Sequence, residues 1–83
     1  MNRQEIRAAV IEELVNVAPD IDPAAVEDEK SLRDEYDLDS MDSVNLVIAI
    51  HRRLGVSIPD SEFGRLQSVE DVVNYLQTHG CGE

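Results

Sequence analysis

The sequence predicts an all-α fold, a small four-helix bundle of three main helices and one short helix, with a long first loop. Two observations carry that prediction and the length bounds it. Aliphatic residues recur at spacings of three and four in separate stretches, and residues suited to start or stop a helix bracket them. Eighty-three residues can bury one modest core, so one domain is expected over 1–83, with 79–83 a flexible tail.

The first helix is predicted from about Gln4 to Val17. Ile6, Val10, Leu14 and Val17 form its apolar stripe, while Arg3, Arg7, Glu12 and Glu13 are charged. Pro19 stops it near Ala18, because the residue before a proline avoids helical angles. A long connection follows, from Pro19 to Leu38. Asp22-Pro23 suits one short helical turn, and Ile21, Val26, Leu32, Tyr36 and Leu38 are available to pin the loop to the core.

The second main helix is predicted from Ser40 to Leu54. Met41, Val44, Val47, Ile48 and Leu54 lie at helical spacings, and Leu46 and Ile50 widen the apolar face, so this helix should be largely surrounded. Asp39 suits the N-cap, and Asp42 adds negative charge to the first turn. His51, Arg52 and Arg53 suit the negative end of the helix dipole, with Gly55 as terminator.

Val56-Ser57-Ile58-Pro59 reads as extended. A short helix broken by Gly64 is predicted over Asp60–Leu66, with Phe63 and Leu66 facing inward. Ser68-Val69-Glu70-Asp71 begins the last helix, which ends near Thr78 and buries Val69, Val72, Val73 and Leu76.

Composition narrows the function classes. A chain that is 42% hydrophobic and 30% charged is foldable, and its net charge of −11 argues against nucleic acid. Eight of the eighteen carboxylates fall between Glu27 and Asp42. One cysteine, Cys81, permits no internal disulfide, and with His79 it supplies at most two metal ligands where structural zinc wants four. No metal is expected. No segment has the apolar length of a membrane span or a signal-peptide core, so membrane insertion is not expected and a cytoplasmic location is.

Ser40 is the residue with chemical potential, because a helix start tolerates an anion on its hydroxyl. On spacing alone, capping by Asp39 or Ser40 is the simpler explanation. Nucleophilic catalysis needs a base, for which His51 and His79 are the only candidates; no Gly-x-Ser-x-Gly elbow is present, and His51 lies eleven residues on, about 16 Å along the same helix. Nucleophilic catalysis is not expected. An EF-hand starting at Asp37 fails at Met41, Asp42 and Ile48, which stand where an oxygen donor, glycine and glutamate are required.

The run Asp39-Ser40-Met41-Asp42-Ser43-Val44-Asn45-Leu46-Val47 resembles the attachment motif of acyl carrier proteins and the related peptidyl carrier (thiolation) domains. The resemblance continues through Val26, Ser31-Leu32, Ile58-Pro59-Asp60, Ser68-Val69-Glu70-Asp71 and Asn74-Tyr75-Leu76, and so covers nearly the whole chain. It implies a bundle of acyl-carrier type. It also implies that a phosphopantetheinyl transferase attaches 4′-phosphopantetheine from coenzyme A to Ser40, with Asp39 and Met41 beside it. The arm's thiol then holds an acyl group as a thioester for acyl-loading, synthase or transferase enzymes. The carrier resemblance implies no enzyme activity at all. For Met41, packing against the core or cap is the alternative.

By the same resemblance, Asp42, Val44, Asn45, Arg52 and Arg53 lie on the partner-docking helix of what is expected to be a monomer. Leu32, Val47, Ile50, Ile58, Phe63, Leu66 and Val72 fall at positions that line an acyl cavity, with ordinary core packing the alternative for most. Phe63 stands where many relatives have a small residue, which implies a shortened cavity. Asp37 replaces a glycine, and Pro19 departs from the usual end of the first helix. Asn45, His51, Arg52 and Arg53 replace carboxylates common in fatty-acid carriers, which implies a specialised fatty-acid, lipid or polyketide pathway unless these cations serve only the helix terminus. An aminoacyl or peptidyl carrier is the alternative within the carrier class. An unmodified acidic interaction module is the alternative outside it.

Overall fold

The computed structural model describes residues 2–81. Its elements in order are α1 (Arg3–Val17), a 3₁₀ turn (Pro23–Ala25), α2 (Leu32–Tyr36), α3 (Ser40–Leu54), a 3₁₀ segment (Asp60–Arg65) and α4 (Val69–Leu76), which runs into a π turn (Gln77–Cys81). The fold is all-α, as the periodicity predicts. Three long helices carry it.

α1 begins one residue before the predicted Gln4, because Asn2 and Glu5 form a capping box. It ends at Val17, and the amide of Ala18 closes the last turn on the Leu14 carbonyl. Its buried face is broader than the predicted stripe, with Ala9 and Ile11 joining Ile6, Val10 and Leu14. α1 packs against both α3 and α4, and Ile6, Val10, Leu14, Ile50, Val69, Val73 and Leu76 form the solvent-free centre. Truncating Leu14 to Ala would cost about 2–5 kcal/mol, the range for an emptied buried leucine site.

The long first loop contains more order than its sequence announces. Asp22 caps the 3₁₀ turn at Pro23, as predicted. The five-residue α2 was not predicted. Ser31 caps it, and the Leu32 amide donates to the Gln67 carbonyl at 2.7 Å. Tyr36 Oη accepts from the Glu27 amide at 3.0 Å, and the Glu70 amide donates to the Asp28 carbonyl at 2.9 Å. Arg7 Nε bridges both carboxylate oxygens of Asp28 at 2.7 and 2.9 Å, tying the loop to α1. That contact holds the Asp28 carboxyl below its usual range through the hydrogen bond from Arg7, with partial burial opposing.

α3 has the predicted bounds. Asp39 and Asp42 form a full capping box, and Gly55 ends the helix at φ 72°. Its predicted surroundings need correction. Of its apolar residues only Leu46 and Ile50 are buried, while Met41 is 66% and Ile48 44% exposed. The helix carries two apolar stripes, and only one meets the core.

The segment predicted as a helix over Asp60–Leu66 is 3₁₀ in form and ends at Arg65. α4 is capped by the Ser68 hydroxyl, which accepts from the Asp71 amide. The predicted tail starts as part of the π turn, where the His79 ring stacks on Tyr75 at 4.2 Å between centroids. The remainder of that tail, 82–83, lies outside the described residues.

Candidate functional site

The site is built from the turn that joins α2 to α3. Asp37 takes left-handed angles (φ 57°, ψ 31°), which only glycine adopts without steric cost and which Asp tolerates better than most. Leu38 follows at 2% exposure and plugs the core. With Leu38 anchored inward, the next residues face out. Asp39 Oδ1 accepts from the Asp42 amide at 2.9 Å, and Asp42 Oδ2 lies 3.5 Å from the Asp39 amide. The cap is therefore Asp39, which resolves the choice left open by spacing.

Ser40 is then the first residue of α3, exposed, and its hydroxyl has no hydrogen-bond partner among the described residues. The Ser40 and Met41 amides likewise find no acceptor there, since the capping box serves Asp42 and the Ser43 amide donates to the Asp39 carbonyl. A free hydroxyl beside two free amides at a positive dipole end suits a phosphodiester. Among the described residues, no group of three His, Cys, Asp or Glu side chains could hold a metal, and no helix is long and apolar enough to cross a membrane.

The predicted docking residues lie along one helix but do not share one environment. Asn45 and Arg52 are exposed, and Asp42 and Val44 are half-buried. Met41 stands in solvent, so core packing does not account for it. Arg53 differs from the others. It turns to α1, where it pairs with Glu12 and, at 3.0 Å, with Glu13. That contact draws its guanidinium towards α1, although the side chain remains 42% exposed.

Two clefts flank Phe63, the single side chain common to both linings. One, of about 340 Å³, is lined by Leu32, Ser43, Phe63, Leu66 and polar residues of the α2 region. The other, of about 720 Å³, lies on the outer face of α3 and is lined by Val44, Val47, Ile48, Ile58 and Phe63, with His51, Arg52 and Ser57. Five of the predicted cavity residues therefore line a cleft. Ile50 and Val72 do not; they are 1% and 2% exposed and belong to the core. Ile48, His51 and Ser57 are lining residues the sequence reading missed. Ile48 was legible from its place four residues after Val44.

A family model for the phosphopantetheine attachment site matches residues 6–76. The chain belongs to the acyl carrier protein family. It is 39% identical to an acyl carrier protein of Campylobacter concisus over 77 residues, covering 93% of this chain and 94% of that one. A meromycolate extension acyl carrier protein of Mycobacterium leprae is 36% identical over 74 residues, 89% of this chain and 64% of its own length. In three dimensions the chain matches the solution structure of a putative acyl carrier protein from Anaplasma phagocytophilum, with a TM-score of 0.79 and 25% identity, over 92% of this chain and 89% of that one. As an acyl carrier protein it tethers acyl groups on covalent 4′-phosphopantetheine. Members of the family are carriers rather than catalysts, and they work with a phosphopantetheinyl transferase and synthases.

Proposed function

We propose that Ser40 carries the phosphopantetheine arm and that the protein acts as a cytoplasmic monomer serving a dedicated fatty-acid, lipid or polyketide pathway. The observation that carries the assignment is the exposed Ser40 hydroxyl, without a hydrogen-bond partner among the described residues, on the first residue of a capped helix. Asp39 positions the transferase by fixing the entry to α3, and Met41 offers it an apolar contact. Partner enzymes dock along Asp42, Val44, Asn45, Arg52 and Arg53, with Met41 at the Ser40 end. The protein itself catalyses nothing and delivers its thioester to them.

Arg52 supports a dedicated partner. A cation on the docking face weakens attraction to basic surfaces and selects against partners that rely on acid there. The relatives named above are acyl carriers, which favours acyl over aminoacyl cargo. The test is intact mass after incubation of the apo protein with coenzyme A and a permissive transferase. Wild type should gain one phosphopantetheine and Ser40→Ala should gain none. A modified Ser40→Ala protein, or an unmodified wild type across several transferases, would refute the assignment.

A further inference from the structure

The outer cleft of α3 has an unusual charge. The chain holds eighteen carboxylates, yet none of the eight residues lining this cleft is acidic. Its charged group is Arg52, which makes no ion pair or hydrogen bond among the described residues. Positions three and four before it on α3 are Ile48 and Ala49, and Leu54 ends the helix two residues after it, so no carboxylate of α3 lies at pairing distance along the helix. Glu62, next to Phe63, is engaged by Arg65 at 3.6 Å. The neighbouring Arg53, by contrast, is taken by two glutamates of α1.

The cleft is also aligned with the attachment point. Val44, Ile48 and Arg52 follow Ser40 at successive steps of four residues, so the four form one continuous ridge that winds about 120° around α3 from Ser40 to Arg52. The lining begins about 6 Å along the axis from Ser40 and ends at Arg52, about 18 Å away.

We propose that this cleft holds the thioester end of the arm when its acyl group bears a carboxylate, with Arg52 binding that carboxylate and Val44, Val47, Ile48 and Phe63 covering the chain. The proposal rests on Ser40 carrying the arm. It assigns the cargo class as carboxyacyl groups, and it makes Arg52 a specificity residue.

The test charges the apo protein with hexanoyl or adipoyl phosphopantetheine from the matching coenzyme A thioesters, then follows cleavage by hydroxylamine using intact mass. Each rate is divided by that of the same thioester on free pantetheine, which removes the cargo's intrinsic reactivity. The adipoyl form should be protected about two- to fivefold more than the hexanoyl form, the scale of one solvent-exposed ion pair. Arg52→Gln should erase the difference, and Arg52→Lys should keep part of it. Failure to load would refute the Ser40 assignment. Successful loading with equal protection of both cargoes, or a difference that survives Arg52→Gln, would overturn the cargo proposal and leave the cleft to a protein partner.

Discussion

Asp37 is the residue on which the presentation of Ser40 depends. Its left-handed backbone reverses the chain so that Leu38 points in and Ser40 points out. A β-carbon in that conformation costs about 1–2 kcal/mol relative to glycine. Asp37→Gly should therefore be about 1 kcal/mol more stable than Asp37→Ala in urea unfolding, and equal stabilities would show that the turn relaxes. Asp39 is the next determinant. Asp39→Ala removes the α3 cap and should cost about 1 kcal/mol while slowing transfer to Ser40, measured by denaturation and by mass-detected loading. Phe63 separates the two clefts, so Phe63→Ala should join them and shield long acyl thioesters better than wild type. Shielding no better than wild type would count against its role as a barrier.

At the scale of elements, the long loop is held by contacts that a pH titration can isolate. The Asp28 carboxyl titrates below its unfolded value because Arg7 bonds to its charged form. Its contribution is thus present above the unfolded pKa, about 4, and is lost as pH falls through the lower folded one. Arg7 and Asp28 side chains are 41% and 34% exposed, so solvent screening limits the effect of Asp28→Asn to no more than about 1 kcal/mol at neutral pH. The gap between variant and wild type should close as pH drops below about 4. A constant gap would assign the loss to packing instead.

The elements also show what the sequence could reveal. α3 was legible to the residue because cap, charge and terminator are all local: Asp39 and Asp42 at one end, His51 to Arg53 and Gly55 at the other. α2 was not, because five residues from Leu32 to Tyr36 depend on a bond to Gln67 that lies far away in sequence. The exposure of Met41 and Ile48 was likewise hidden, since periodicity marks apolar stripes without saying which one meets the core. The pairing of Arg53 was hidden too, because only the packing of α1 on α3 brings Glu12 and Glu13 to it. The place of Ser40 at the start of α3 was legible from the local caps, whereas the division of the predicted cavity residues between cleft and core was not.

For the molecule as a whole, a net charge of −11 on 83 residues means that folding concentrates repulsion, most of all between Glu27 and Asp42. Raising salt from low to physiological strength should therefore raise the melting temperature, and an unchanged value would show that the repulsion is already relieved. The exposed apolar residues of α3, Met41 and Ile48, lie on the face we propose for docking. The central claim is that Ser40 is the attachment residue, and trypsin offers a direct test. Cleavage after Arg33 and Arg52 releases a fragment whose serines are Ser40 and Ser43. Tandem mass spectrometry of that fragment from the loaded protein should place the phosphopantetheine on Ser40. Placement on Ser43, or a loaded protein with this fragment unmodified, would contradict it.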